Sequence, residues 1–205
     1  MRKAAQRVRD VVLGMLRIHA RRKTKEAYWD KAYAEGKWAM LDETSGDIVY
    51  SLIEKWAHGG SILDLGCGSG NTANELEPGA YEKYTGVDIS SIAIEKALSR
   101  SASSDRSDKV RYVQSDILTY VPDEEFDVIL FRESIYYIAA NKIRPVLMRY
   151  AKYLGKKGVF IVRVWDPGRY GKIMDLLETH FEIVDTKAST TSSSLVLAFR
   201  PRAQS

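Results

Sequence analysis

The spacing of apolar residues divides the chain into two regimes. Over the first 57 residues the period is helical. Val8, Val11, Val12, Met15, Leu16 and His19 recur at helical spacing, with Arg7, Arg9 and Arg17 elsewhere on the wheel. This predicts an amphipathic helix. Tyr28, Trp29, Tyr33 and Trp38 crowd residues 24–38. Trp29 and Tyr33, four apart, share a helix face, and Gly36 is placed to end that helix. Ile48, Leu52, Ile53 and Trp56 form the stripe of a further helix over 44–57, with Thr44 or Ser45 as its cap.

From residue 61 the pattern becomes an alternation of short apolar runs and helical segments. Strands are predicted at Ser61–Leu65, Tyr84–Val87, Val110–Gln114, Phe126–Phe131, Gly158–Trp165, Phe181–Thr186 and Leu195–Phe199. The continuous run at 126–131 predicts a strand buried on both faces. Helices are predicted at Asn71–Leu76, stopping at Pro78, at Ile92–Leu98, capped by Ser90 or Ser91, at Lys142–Leu154 and at Tyr170–Leu177. Residues 101–107 read as a polar loop. Strands alternating with helices imply an α/β fold, a parallel sheet with helices on both faces. The last two strands, joined only by the Ser/Thr stretch 189–194, read as an antiparallel hairpin. No internal repeat is present.

Composition bounds this picture. At 205 residues, 45% hydrophobic and 10% aromatic, the chain suits one globular unit and not a disordered one. No run of 18 apolar residues exists, so no transmembrane helix is expected. One cysteine and three histidines argue against a disulfide framework and a Cys- or His-built metal centre. They suit a reducing compartment, and a cytoplasmic location is expected. The net charge of +4 is uneven: residues 1–25 hold nine Lys/Arg against Asp10, a net +8, which leaves the remainder at −4. The basic character therefore belongs to an N-terminal arm and says little about nucleic acid. The arm lacks the length and cleavage site of a secretory leader; its Arg-rich, acid-poor start resembles an organelle transit peptide. Packing of this helix on the domain, or a frayed terminus, is the expectation; a membrane surface or RNA are the other partners its charge suits. Residues 1–43 thus read as a basic helix and aromatic lid segment, and 44–205 as the main domain.

The candidate chemistry lies at strand ends. Ile62-Leu63-Asp64-Leu65-Gly66-Cys67-Gly68-Ser69-Gly70-Asn71 runs from a strand through a glycine-rich loop into a helix. In open α/β sheets ligands bind there, and glycines allow close backbone approach. The spacing is G-x-G-x-G, not the dinucleotide G-x-G-x-x-G/A, and no G-K-[ST] step follows. Asp64 beside the loop would repel a pyrophosphate and suit an ammonium or sulfonium. Asp88 ends the next strand, 22 residues after Gly66, where an acid accepts from ribose hydroxyls. Asp116 follows the third strand, where it can accept from an adenine amine. Ile89 and Ile117 are placed to sandwich the base. Cys67 reads as a small loop residue and not as a nucleophile.

The series D-L-G-C-G-S-G, G-V-D-I-S, Q-S-D-I-L and F-D-V-I-L-F resembles the class I S-adenosylmethionine-dependent methyltransferases over residues 44–200. The resemblance implies a Rossmann-like seven-stranded sheet of order 3-2-1-4-5-7-6, the last strand alone antiparallel. It implies that Asp64, Gly66, Cys67, Gly68 and Gly70 cradle the methionine part of the cofactor. Asp88 would hold the ribose, Asp116 the adenine, and the Arg132 carbonyl would lie near the amino group. The product would be S-adenosylhomocysteine.

The end of the fourth strand, Phe131-Arg132-Glu133-Ser134-Ile135-Tyr136-Tyr137-Ile138, is expected to face the methyl acceptor. It lacks an Asn/Asp-Pro-Pro-Tyr/Phe motif, a Pro-Cys nucleophile and an acid cluster for a divalent metal. Glu133-x-x-Tyr136-Tyr137 resembles, over these few residues, nodulation-type N-methyltransferases that act on sugars and small methyltransferases of glycan and secondary-metabolite pathways. Tyr136 and Tyr137 are candidate acceptor-site residues or core packing. Glu133 and His19 are the candidate general bases if the acceptor is a hydroxyl; alternatively Glu133 pairs with Arg132. Tyr28 to Trp38 is expected to form a lid, with Trp29 and Trp38 over the cofactor, where aromatic faces favour a sulfonium. The expected substrate is a small molecule or saccharide. An RNA- or protein-modifying methyltransferase using the basic arm and a non-catalytic cofactor-binding subunit are the alternatives.

Overall fold

The computed structural model describes residues 14, 16–38, 46–102, 104 and 106–202. Val8, Val11, Val12 and Met15 of the basic arm, and the Thr44 or Ser45 cap, lie outside them. After a helical stretch at 16–19 come helices α1 (Arg22–Ala34) and α2 (Ile48–Ala57). Strand β1 (Ser61–Leu65), helix α3 (Asn71–Glu75), strand β2 (Lys83–Asp88), helix α4 (Ser91–Ala102) and strand β3 (Val110–Gln114) follow. The second half contains β4 (Phe126–Arg132), α5 (Ala140–Tyr150), β5 (Leu154–Val164), α6 (Gly171–His180), β6 (Phe181–Ala188) and β7 (Leu195–Pro201).

The strands form one sheet in the order β3-β2-β1-β4-β5-β7-β6. All pairings are parallel except those of β7, which runs antiparallel to both β5 and β6. This is the Rossmann-like arrangement that the resemblance implied. Successive side chains of a strand point to opposite faces, so β1 and β4 feed two apolar layers. Leu63, Leu65, Ile129 and Phe131 face Ile143, Leu147 and Tyr150 of α5 and Leu177 of α6. Ile62, Val128 and Leu130 face Val49, Leu52 and Ile53 of α2. Because helices cover both faces, β4 is buried through its apolar run.

Some boundaries differ from the expectations. Asp47, not an earlier Thr or Ser, caps α2, accepting from the Val49 N–H at 3.0 Å. Helix α4 extends into the stretch read as polar loop. Ser101, one turn beyond Ala97, is buried, its hydroxyl 3.1 Å from that of Tyr112. A polar residue paired inside the fold hid the helical period. Leu154, read as the end of a helix, opens β5 instead. A 3₁₀ turn at Ala151–Tyr153 ends the helical stretch, and the β4–β5 register jumps from Phe126↔Leu154 to Val128↔Val159. The extra residues bulge out between Gly155 and Gly158, and a Cβ on Gly158 would stand 2.7 Å from the Phe126 carbonyl. Helix α6 reaches His180, three residues past Leu177, through residues that carry no apolar signal.

Helix α1 docks across the carboxyl ends of the strands by polar contacts to its neighbours. Asp30 Oδ1 accepts from the Ser90 hydroxyl at 2.7 Å and from the Ile92 N–H at 3.4 Å, capping α4 from outside its own chain segment. Lys96 Nζ donates to the Tyr33 carbonyl at 2.7 Å, and Gln114 Nε2 to Glu26 at 3.0 Å. Among the described residues no helix is long and apolar enough to cross a membrane. Replacing Asp30 with Ala should release α1 from α4. Hydrogen exchange in residues 22–34 should then rise while exchange in β1 and β4 stays slow, at a cost of about 1 kcal/mol in denaturant unfolding. Equal protection of 22–34 in wild type and variant would show that apolar packing alone holds α1.

Candidate active site

The loop after β1 is shaped by glycines in the left-handed region. Gly66, Gly68 and Gly70 have φ of 89°, 54° and 77°, where a side chain is strained. Space forbids one as well. A Cβ on Gly66 would stand 2.6 Å from the Ser134 side chain, and one on Gly68 2.7 Å from the Tyr33 hydroxyl. The loop is tied back to β2 by the Gly66 and Cys67 N–H groups, which donate to the Val87 carbonyl at 2.7 and 3.1 Å. The loop backbone, helix α1 and the turn after β4 therefore meet at van der Waals distance.

Three buried acids surround this loop. Asp64 accepts from the Tyr84 hydroxyl through Oδ2; its Oδ1 is buried with no hydrogen-bond partner among the described residues. Burial pushes its carboxyl up to about 6, with Tyr84 and Arg132 opposing. Asp88 accepts from the Gly68 N–H at 3.0 Å and the Ser90 N–H at 2.9 Å. Burial again dominates and raises it to about 6. Asp116 accepts from the Leu118 N–H at 2.8 Å. Burial, with the Asp88 and Asp64 charges adding, lifts the Cys67 thiol well above its ordinary value, so it is no nucleophile.

Two connected spaces open here. A cavity of about 580 Å³ is bordered by Asp88, Ile89, Asp116 and Ile117 at one end and by Tyr136, Tyr137, Trp165 and Tyr170 at the other, under Trp29, Tyr33 and Trp38. A smaller one, about 90 Å³, lies behind the glycine loop, bordered by Asp64, Gly66, Cys67, Gly68 and Trp38. Gly66, Arg132 and Glu133 border both. Gly70 borders neither; its left-handed turn starts α3, and a Cβ there would stand 2.5 Å from the Tyr112 hydroxyl.

Beyond β4 the candidate acceptor residues are held by an ion network. Arg132 and Arg163 are register partners at the ends of β4 and β5. Asp47 joins them, 3.3 Å from Arg132 Nη2 and 2.9 Å from Arg163 Nε. Glu133 pairs with Arg163 rather than Arg132, and accepts from the Tyr136 hydroxyl. Its φ of 57° is a left-handed conformation for a residue with a Cβ, held in place by these contacts. Burial first, then the Glu133 charge, moves the Tyr136 phenol far above its ordinary value; burial lifts Tyr137 to about 12 against the pull of Arg17.

His19 does not join the site. It is exposed and borders neither cavity, whereas Arg17 borders the larger one. Two residues on a helix lie about 200° apart, so the helical stretch 16–19 turns Arg17, and not His19, to the cavity. The sequence reading also passed over Lys25, Arg163, Trp165, Arg169 and Tyr170, which border the larger cavity. The only available signal was Arg163, one residue short of the end of β5, as Arg132 ends β4.

Residues 62–158 match the family described as "Methyltransferase domain". That stretch is a methyltransferase domain, in keeping with the class I S-adenosylmethionine-dependent family that the motif series resembles. It is similar to 27-O-demethylrifamycin SV methyltransferase of Amycolatopsis mediterranei, 29% identical over 57% of this chain and 49% of that one. It is similar to ribosomal protein L11 methyltransferase of Acetivibrio thermocellus, 28% identical over 76% of this chain and 55% of that one. The chain spans about half the length of these curated relatives. Among solved structures, N-methyltransferase NodS from Bradyrhizobium japonicum, in complex with S-adenosylhomocysteine, shares the fold. Its TM-score is 0.62 at 19% identity, covering 78% of this chain and 90% of that one.

The raised Asp64 carboxyl makes a testable pH signature in the protein alone. In the unfolded chain Asp64 ionises near 3.8, and in the folded one near 6. Between those values the folded state binds more protons, so this group's contribution to stability declines as pH rises from about 4 to 6. Asp64→Asn removes that decline. Guanidinium titrations at pH 4 and pH 7 should show the variant gaining on the wild type as pH rises; a pH-independent difference would refute the desolvated carboxylate.

Proposed function

We propose that this protein transfers a methyl group from S-adenosylmethionine to an oxygen or nitrogen of a small molecule or saccharide, leaving S-adenosylhomocysteine. The observation that carries the reading is a complementary pair of unsatisfied atoms. The Asp64 Oδ1 acceptor and the Trp38 Nε1 donor are both buried without a hydrogen-bond partner among the described residues, and both residues border the small cavity. Buried polar groups are ordinarily paired. The ammonium and carboxylate of an amino-acid moiety would satisfy the two together. The residues present thus fit the cofactor.

In this reading Asp64 and the Gly66–Gly68 backbone hold the methionine part. Asp88 accepts from the ribose hydroxyls and Asp116 from the adenine amine, between the apolar side chains of Ile89 and Ile117. When bound, the cofactor supplies a methyl carbon made electrophilic by its sulfonium. The protein orients the reactants and excludes water. Trp29, Tyr33 and Trp38 roof the cavity and present ring faces that favour a cation. Glu133 is neutralised by Arg163 and takes the Tyr136 proton in a hydrogen bond, which leaves the Tyr136 oxygen free to accept from an N–H or O–H of the acceptor. The upward shifts of Tyr136 and Tyr137 keep both phenols protonated, so they orient and do not act as ionised bases. An amine arriving unprotonated, or an already acidic hydroxyl, suits such a site. A reducing compartment such as the cytoplasm suits the free Cys67 thiol.

Incubation with methyl-labelled S-adenosylmethionine, a metabolite extract, RNA and ribosomal protein should place label in the small-molecule fraction. Label confined to RNA or protein would replace this reading with a macromolecular one. Asp88→Ala should weaken S-adenosylhomocysteine at least about tenfold in calorimetry, because hydrogen bonds to a charged acceptor are worth about 1.5–3 kcal/mol each. Unchanged affinity would remove the ribose assignment.

A further inference from the structure

Three cations border the larger cavity without a carboxylate partner among the described residues: Arg17, Lys25 and Arg169. Lys25 and Arg17 are withdrawn from solvent, and Arg169 is exposed but laid against two aromatic rings. Lys25 is 7% exposed. Arg17 is half-buried; its Nε donates to the Tyr28 hydroxyl at 2.7 Å, and its guanidinium carbon lies 5.1 Å from the Tyr28 ring and 6.0 Å from that of Tyr137. Arg169 lies 5.9 Å from the Trp165 ring and 5.8 Å from that of Tyr170. The acid closest to it in sequence, Asp166, accepts from the Arg169 backbone N–H at 3.0 Å.

The two arginines stand at the ends of one aromatic wall. Tyr137 meets Tyr136 edge-on at 4.8 Å, and Tyr136 stacks on Tyr170 at 4.4 Å with only 7° between planes. Arg17 is above the first ring and Arg169 above the last. The acids that border this cavity do not answer these charges. Glu133 is neutralised by Arg163, and Asp88 and Asp116 lie at the opposite end, where they accept from backbone N–H groups.

We propose that the acceptor is an organic anion, a flat apolar body bearing a carboxylate or phosphate, which lies along the Tyr137–Tyr136–Tyr170 wall with its oxyanion held by Arg169 at one end, while Arg17 adds attraction from the other. This rests on the methyltransferase reading and names the substrate class for the same site. A guanidinium presents a planar fork of donors that matches either oxyanion. Held over aromatic rings, it is already oriented, so little freedom is lost when the anion arrives. Unpaired cations gathered around one cavity repel one another, and an entering anion relieves that repulsion. A neutral saccharide would leave all three unanswered.

The test uses benzoate, phenyl phosphate, benzamide and benzylamine as probes of the full chain saturated with S-adenosylhomocysteine, by calorimetry. Benzoate or phenyl phosphate, whichever head group is the better match, should bind at least about tenfold more tightly than neutral benzamide, with benzylamine weakest. Arg169→Gln should remove most of that preference while its S-adenosylhomocysteine affinity stays at the wild-type value, which also shows that the variant is folded. Arg17→Gln should do the same in part. Equal binding of benzoate, phenyl phosphate and benzamide, or a preference that survives both substitutions, would overturn the proposal. Failure of the wild type to bind S-adenosylhomocysteine would instead strike at the cofactor reading, and is scored before any probe is added.

Discussion

Arg132 and Arg163 end two neighbouring parallel strands side by side, and their charges must be balanced in a place largely closed to water. Asp47 balances both at once, and Glu133 gives Arg163 a second partner. Much of the site hangs from this arrangement. Asp47 also caps α2, so the helix that covers one face of the sheet starts where the strand-end charges need it. Glu133 reaches Arg163 from a left-handed backbone where the chain turns out of β4, and Tyr136 and Tyr137 then border the cavity. Buried ion pairs are weak sources of net stability. Here the network acts as a positioning device, setting the turn that follows β4.

The opposite half of the site is built on unmet demand. Asp64 and Asp88 are both raised to about 6 because burial strips their hydration faster than their neighbours repay it. Asp64 Oδ1 and Trp38 Nε1 face no partner among the described residues. Such groups cost free energy in the ligand-free fold. A ligand that meets them recovers that cost, so the site is organised before binding and gains its full polar balance only after it. Helix α1 belongs to the same logic. Asp30 holds Ser90, and the Ser90 N–H holds Asp88, so the roof and the second carboxylate are joined through one residue.

The order of motifs along the chain made the core of the fold legible. Asp64, Asp88 and Asp116 each follow a short apolar run, and in a parallel sheet with right-handed crossovers the ends of successive strands must come to one edge. The glycine spacing was equally informative, because φ between 54° and 89° at Gly66, Gly68 and Gly70 excludes most other residues. What was misread has local causes. Ser101 hides the period of α4 behind a buried hydroxyl, and the glycine-flanked bulge opening β5 looks like a turn in one dimension.

The sequence by itself determined the α/β alternation, through local period, and the glycine loop and strand-end acids that border the two cavities, through neighbouring strand ends; the sheet order came from the resemblance of the motif series. Only the tertiary structure decided who pairs with whom on the acceptor side. His19 fell outside the cavity and Arg17 within it, since a two-residue step reverses the helix face. Glu133 took Arg163, 30 residues away, in place of its neighbour Arg132. Arg169, Trp165 and Tyr170 reached the cavity from the turn after β5. Side-chain partnership at a site assembled from five separate segments is set by distance in space, and no spacing along the chain encodes it.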